Sequence, residues 1–198
     1  MDPSVVRQAQ GETASHGAPQ AGSECEAEPD LVRRAHRDPV AFAALYQRHY
    51  PAIQRYLRRR LGDPDVVEDA VSDTFVSALQ QIANYEERGL PFRSWLYRLA
   101  TGQASRQARR AARLARAQLE TEPIDREPSA SPARDHVRAA LLRLSAQHQA
   151  VIALHHLEGM SVEAVAETLE CRVGTVKSRL ARGRDALRAQ LERMGGPS

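Results

Sequence analysis

Residues 161–188 read SVEAVAETLECRVGTVKSRLARGRDALR and predict two amphipathic helices joined by a short turn. In the first helix, apolar side chains recur at i, i+3, i+4 and i+7 from Val162 to Leu169, so they share one face. The second helix divides in the same way, with Val173, Val176, Leu180 and Leu187 on one face and Thr175, Ser178, Arg179 and Arg182 on the other. A helix anchored on one face and polar on the other can enter the DNA major groove. The stretch therefore predicts a helix-turn-helix that binds duplex DNA.

The same periodicity also fits an ordinary helical hairpin with a solvated basic face, so the charge pattern of the whole chain matters. Residues 31–116 carry sixteen basic and eight acidic residues, and residues 136–198 carry nine and six. Between these blocks, residues 117–135 carry two basic and five acidic residues, and residues 1–30 carry one and six. Two basic blocks on an acidic tether suit a partner with a long phosphate backbone, which favours nucleic acid.

Several function classes find no support in the sequence. The two cysteines, Cys25 and Cys171, give neither a disulfide framework nor a zinc site, so we expect a cytoplasmic protein without metal or cofactor. No apolar run reaches membrane-spanning length and the N-terminus lacks a signal-peptide core, so we expect no membrane insertion. His155 and His156 are adjacent, yet no carboxylate pair or ligand spacing accompanies them. We therefore predict no catalytic residues and no enzyme.

The remaining patterns are helical and define two units. A helix from Pro64, capped by Asp63, carries an apolar stripe with eight members: Val67, Ala70, Val71, Thr74, Phe75, Ala78, Leu79 and Ile82. The preceding helix, about 39–61, is predicted to bury Phe42, Leu45, Tyr46 and Ile53 and to bend or break at Pro51. We expect an all-α chain of two small helical domains: a disordered acidic tail over 1–29, a helical bundle over 30–116, a flexible acidic linker over 117–135 and a four-helix domain over 136–194.

A helix from Phe92 to about Leu119 carries six arginines and no acid between Arg98 and Arg116. A solvated helix face normally interleaves both signs of charge. An unbalanced run beside an aromatic cluster instead fits a groove that follows a nucleic-acid backbone. Nucleic-acid contact is therefore the favoured interpretation, and a solvated face is the alternative.

Three motifs in this order resemble bacterial RNA polymerase sigma factors of the extracytoplasmic-function group. The segment 174–180, GTVKSRL, with EGMS at 158–161 upstream, is similar to sigma region 4. The segment 69–75, DAVSDTF, resembles region 2.2, and the segment 92–100, FRSWLYRLA, resembles regions 2.3 and 2.4. The resemblance covers about 30–116 and 136–190, including the intervening linker.

The resemblance implies a protein that binds core RNA polymerase, reads promoter DNA with both domains and melts the minus-ten element. An anti-sigma factor is a further candidate partner. It implies polymerase contacts from Glu68, Asp69, Ser72 and Asp73. It implies minus-thirty-five contacts from Arg172, Thr175, Lys177, Ser178, Arg179 and Arg182. The region 2 DNA candidates are Tyr85, Arg88, Arg98, Arg106, Arg109, Arg110 and Arg113, whereas Phe92 and Trp95 are expected to be core anchors.

The sequence departs from the family pattern at several positions. Gly102 and Arg106 stand where relatives often have Asn and Asp, which affects minus-ten preference. Glu170 replaces a common Gly in the turn and would be strained in a left-handed conformation. Arg172 replaces a small N-cap residue. Two alternatives stay open: a helix-turn-helix regulator that does not bind polymerase, and a sigma-like protein that acts only through partners.

Overall fold

The computed structural model describes residues 27–86, 90–117 and 132–195, with eight α-helices and no strand in those ranges. The predicted all-α class is confirmed. The N-terminal unit has four of these helices and a short 3-10 turn at Ile82–Asn84. Its helices are α1 (Glu28–Ala35), α2 (Pro39–Leu61), α3 (Pro64–Gln81) and α4 (Phe92–Ala117).

The start of each long helix in this unit follows from local chemistry. The Asp38 carboxylate accepts a hydrogen bond from the Val40 amide at 2.9 Å, and Asp63 accepts from Asp65 at 3.0 Å. A proline fills the first position of both helices, where no amide donor is needed. These caps fix where α2 and α3 begin, and α2, α3 and α4 then pack around one core.

The C-terminal unit has the four helices predicted for it. They are α5 (Pro132–Leu142), α6 (Ala146–Ile152), α7 (Val162–Thr168) and α8 (Val173–Arg193), and a π-helical turn at Ala153–Leu157 continues α6. Ser145 and Ser161 cap α6 and α7 through their hydroxyls. Gly159, with φ at +70°, reverses the chain before α7.

Several details differ from the sequence predictions. The chain is already helical at Glu28, inside the predicted tail, and α5 begins at Pro132, inside the predicted linker. The helix α2 continues through Pro51, so of the two predicted outcomes, a bend or a break, the break does not occur. Tyr46 is 39% exposed and Leu79 is 52% exposed, so neither is the buried residue that the periodicity predicted. Both side chains line the open groove between α2 and α3, where the Tyr46 ring packs against Phe75 with centroids 4.6 Å apart.

The two units pack against each other. The C-terminal unit lies on the side of the N-terminal unit formed by α2 and α4, and α5, α6 and α7 make the contacts. The predicted tail before residue 27 and the centre of the predicted linker lie outside the described residues.

Candidate nucleic-acid interface

The helix-turn-helix has the anchored and polar faces that the sequence predicted for α8. Val176 and Leu180 are buried, and Val173 and Leu187 are half-buried against the core. On the other side, Arg172, Lys177 and Arg182 are exposed, whereas Thr175, Ser178 and Arg179 are half-buried.

The polar side chains of α8 are organised by local hydrogen bonds. The Arg182 guanidinium donates to the Ser178 hydroxyl at 3.3 Å, and that hydroxyl donates to the Thr175 carbonyl at 3.0 Å. Arg172 occupies the N-cap position and makes no side-chain capping bond, because a guanidinium cannot accept a hydrogen bond from a backbone amide. Its exposed guanidinium, at the positive end of a helix, is placed for a phosphate contact.

The turn before α8 is strained at Glu170. Its φ is 51°, and it is the one non-glycine residue with positive φ among the described residues. A β-carbon in this conformation costs about 1 kcal/mol relative to glycine. Glu170 is 70% exposed, so no buried contact within the turn offsets that cost.

Sequence analysis missed the role of Gly183 in positioning α8. A β-carbon at this buried glycine would lie 3.0 Å from the Ile152 Cδ1 atom of α6. The absence of a side chain therefore allows α8 to approach α6 closely. A glycine within a helical pattern was the available signal.

The arginine-rich second half of α4 is open to solvent. Its predicted nucleic-acid contacts Arg106, Arg109, Arg110 and Arg113 are all exposed. Arg98, one of the first arginines of the run, is only about one-third exposed and points toward the C-terminal unit. Arg88 lies outside the described residues.

Tyr85, a predicted DNA contact of region 2, is buried in this structure. Tyr85 is 7% exposed, and its hydroxyl donates to the Leu90 carbonyl at 2.7 Å. Its ring packs against Phe92 and Trp95, with ring centroids 5.7 and 4.9 Å away. Phe92 is buried and Trp95 half-buried, in agreement with their predicted role as anchors. The rings of Tyr85, Phe92 and Trp95 therefore pack against one another and stabilise the start of α4.

The acidic face of α3 is fully exposed, with Glu68, Asp69, Ser72 and Asp73 all on it. An apolar groove of about 380 Å³ runs along its edge between α2 and α3. Tyr46, Phe75, Val76 and Leu79 line this groove, and Glu68 and Ser72 form part of its rim. An apolar groove with an acidic rim suits a helix that carries both apolar and basic side chains.

The contact between the two units centres on Glu158, which sequence analysis treated only as part of a motif. Its carboxylate side chain is 5% exposed. One oxygen accepts a hydrogen bond from Arg59 of α2 at 2.7 Å, and the other accepts from the Tyr97 hydroxyl of α4 at 2.5 Å. Arg93 donates to the Glu158 carbonyl at 2.9 Å. Burial raises the pKa of Tyr97, and the hydrogen bond to Glu158 raises it further.

A second arginine of α2 joins this contact. Arg60 is 5% exposed and donates to the Ala146 carbonyl at 3.2 Å and to the Tyr56 hydroxyl at 3.0 Å. The run Arg58–Arg60 gave no sign of this use, since a basic helix end is normally solvated.

Two further findings concern the classes of site considered at the outset. In the part of the chain that the structure describes, no three His, Cys, Asp or Glu side chains are placed to hold a metal ion. Within the same ranges, no helix has the length and apolarity needed to cross a membrane.

Comparison with known proteins identifies both units. Residues 45–114 match the family model for sigma-70 region 2, and residues 134–187 match the model for sigma-70 region 4. The chain is 34% identical over 161 residues to the ECF RNA polymerase sigma factor SigL of Mycobacterium tuberculosis, covering 77% of this chain and 89% of SigL. It is 31% identical over 157 residues to the ECF sigma factor SigE of Mycolicibacterium smegmatis, which covers 74% of this chain. The chain spans only 60% of that relative's length.

A solved structure is similar in fold. It is the sigma factor RpoE of Bartonella quintana in complex with the anti-sigma factor NepR, at a TM-score of 0.65 and 26% identity. The match covers 76% of this chain and 96% of RpoE.

Proposed function

The chain belongs to the extracytoplasmic-function sigma factors, and on that premise we propose that it binds core RNA polymerase and directs it to specific promoters. The observation that carries the proposal is the pairing of two different surfaces in one chain. An exposed acidic helix face lies on one unit, and a helix-turn-helix with an exposed basic face lies on the other. A regulator that binds DNA alone needs only the second of these surfaces.

The acidic face of α3 is assigned to polymerase. Glu68, Asp69, Ser72 and Asp73 are all exposed, and Glu68 and Ser72 rim the apolar groove. A partner helix with basic and apolar side chains would cover both features. The same surface would accept an anti-sigma factor, the kind of partner that RpoE holds in its solved complex.

The two basic helices are assigned to promoter DNA. On α8, Arg182 and Lys177 project into solvent beside the half-buried Thr175, Ser178 and Arg179. On α4, the exposed arginines from Arg106 to Arg113 supply phosphate contacts and add affinity without sequence preference. We place this activity in the cytoplasm and assign the chain no catalytic role.

Run-off transcription with core polymerase tests the proposal directly. The full chain added to core enzyme should produce transcripts with defined start sites on genomic DNA from the source organism. Core enzyme alone is the control. Duplex DNA binding without co-purification of polymerase, and without specific transcripts, would instead identify a regulator.

The promoter-reading role of α8 has its own test. Arg182→Ala should cost about 1–3 kcal/mol in binding at one base pair and relax preference there, since a bidentate guanine contact contributes that much. Arg193→Ala removes the same charge near the end of α8, where the guanidinium donates only to the Ala189 carbonyl. Equal discrimination by both variants would reject Arg182 as a reader.

A further inference from the structure

The groove between α2 and α3 is an apolar surface that is open to solvent. The ring of Phe75 lines it and packs against Tyr46 and Tyr50, with ring centroids 4.6 and 6.4 Å away. Val76 and Leu79 also line the groove and are 50% and 52% exposed. Within the described part of the chain, no side chain fills this space. Large exposed apolar side chains gathered in one patch mark a docking surface.

The charge around the groove narrows the choice of occupant. Glu68 forms part of the rim, and Asp69 and Asp73 lie on the same exposed face of α3. The described residues that line the groove include no basic side chain. A segment with apolar and basic side chains next to each other is therefore complementary to this surface.

One segment of this chain outside the described residues has that composition. Residues 4–9 read SVVRQA, and Arg7 is the one basic residue among the first thirty. After Val5 and Val6, the sequence has no Val, Leu, Ile, Met or aromatic residue until Leu31. The N-terminal segment therefore carries a single apolar and basic element, which a polar spacer separates from α1.

The described chain begins close to the groove. The Glu28 carboxylate lies 3.1 Å from the imidazole of His49, and the next residue of α2, Tyr50, lines the groove. The groove follows α2 for about two turns, or about 12 Å. The spacer 8–27 has twenty residues, and a disordered chain of this length, as the sequence predicts, has a root-mean-square span of about 22–27 Å. The spacer is therefore long enough to place the SVVRQA element anywhere along the groove.

We propose that residues 4–9 dock in the groove between α2 and α3, with Val5 and Val6 against its apolar lining and Arg7 beside Glu68. The occupied surface is the one that we assign to polymerase, so the segment competes with that partner. The docking depends only on the groove and the segment, whereas the competition rests on the proposed function. The N-terminal segment is thus an intramolecular regulator of partner binding.

The strength of the competition follows from the small size of the contact. Two valines and one exposed ion pair give an intrinsic dissociation constant of about 1 mM. A flexible tether of this length supplies an effective concentration of about 1–4 mM. The segment then occupies the groove in about half to four-fifths of the molecules, which lowers the apparent affinity of a competing partner about two- to fivefold.

The first measurement detects the docking in the full chain without a partner. Methyl NMR follows Val76 and Leu79 in the groove, and Leu157 of the C-terminal unit, 38% exposed, is the reference. Val5→Ser combined with Val6→Ser should shift the signals of the groove methyl groups, because their neighbours are lost. The reference signal should stay in place.

The matched control is Ala18→Ser combined with Ala21→Ser, which makes two apolar positions of the spacer polar. It should leave the groove signals where they are in the unaltered chain. The docking is wrong if both double variants give the same groove signals as the unaltered chain. A charge exchange tests the orientation: Arg7→Glu should shift the groove signals, and adding Glu68→Arg should restore them. Failure of this restoration would overturn the pairing of Arg7 with Glu68.

The second measurement is the affinity of the full chain for core polymerase. Val5→Ser combined with Val6→Ser should bind about two- to fivefold more tightly than the unaltered chain, and equal affinity would overturn the competition. Run-off transcription by the unaltered chain is measured in parallel. Specific transcripts combined with unchanged groove signals would overturn the docking alone. Absence of transcripts would overturn the proposed function, and the methyl signals would still judge the docking.

Discussion

The acidic face of α3 and the basic side of α4 belong to the same helical unit but differ in accessibility. On α3, the four predicted polymerase contacts are exposed, and an unfilled apolar groove lies beside them. On α4, Arg93, Tyr97 and Arg98 are engaged by the C-terminal unit, whereas Arg106, Arg109, Arg110 and Arg113 are exposed and face no other helix of the described chain. One surface is ready for a partner, whereas the other is partly occupied by the chain itself.

This difference decides which surface is accessible to a partner. The exposed face of α3 needs no rearrangement, so association there can proceed at an ordinary protein–protein rate. On α4, the Arg98 guanidinium is already paired with Glu170 and donates to the Glu167 carbonyl. A partner that binds Arg98 would have to replace these contacts.

The largest expected effect comes from the open face. Asp69→Ala combined with Asp73→Ala should weaken binding to core polymerase about ten- to thirtyfold, since two interface carboxylates at about 1 kcal/mol each are lost. Both side chains are solvent-exposed, so the free energy of unfolding should change by less than about 0.5 kcal/mol. Titration of labelled core enzyme and thermal melting supply the two measurements.

The matched control for that variant is Asp185→Ala combined with Glu192→Ala. It removes two exposed carboxylates from α8 and changes the net charge equally. An equal loss of polymerase binding in both double variants would indicate a general charge effect. The face of α3 would then have no specific role.

A smaller effect is expected from the contact that Glu158 makes with α2 and α4. Glu158→Ala should lower the free energy of unfolding by about 1–3 kcal/mol, because it leaves the buried Tyr97 hydroxyl without its acceptor and the half-buried Arg59 without its ion pair. Glu163→Ala, at an exposed position, should change it by less than about 0.5 kcal/mol. Urea denaturation of both variants measures the difference. Equal stability would mean that the inter-unit contact contributes nothing to the folded chain.

The smallest expected effect is a pH dependence from Tyr97. Burial and the contact with Glu158 raise its pKa above the usual 10.0, so the folded chain keeps the proton when the unfolded chain has lost it. The stabilisation is complete below about pH 10 and is lost as the pH rises above that value, by at most about 1.4 kcal/mol per pH unit. Tyr97→Phe removes this contribution.

The measurement for Tyr97 is denaturant stability between about pH 8 and pH 11. The unaltered chain should lose stability more steeply than Tyr97→Phe above about pH 10. If stability falls with pH at the same rate in the two proteins, the Tyr97 hydroxyl has the same pKa in the folded and the unfolded chain, and the prediction is wrong.

Local sequence signals predicted the helices and their caps well. Asp63 acts as an N-cap as predicted, and Ser145 and Ser161 do the same, because a capping carboxylate or hydroxyl bonds amides only two or three residues away. The buried faces of α3 and α8 also follow the periodicity for Val67, Phe75, Val176 and Leu180. Leu79 lies at the edge of its apolar stripe, and the burial of such a residue depends on whether another helix covers it.

In the candidate site, too, some properties could be predicted from a single helix, whereas others depend on contacts between helices. Exposure of Asp69, Asp73 and Arg182 follows from their own helices, since each lies opposite an apolar stripe. The burial of Tyr85 could not be predicted from the sequence, because an aromatic residue in a loop can either stack on bases or fill a core. Here Tyr85 packs against Phe92 and Trp95 in the core. Glu158 was overlooked because its two donors are 99 and 61 residues away in the chain.

Local patterns in the chain were enough to predict the all-helical class, the helix-turn-helix, the acidic and basic faces and the resemblance to a sigma factor. Each of these depends on spacing within one helix, where geometry is set by neighbours three or four residues apart. Three contacts became known from the packing of the helices: Arg98 is paired with Glu170, Glu158 is buried between the units, and Gly183 allows α8 to lie against α6. These contacts join residues from different helices, and their formation depends on how whole helices pack, which no local pattern encodes.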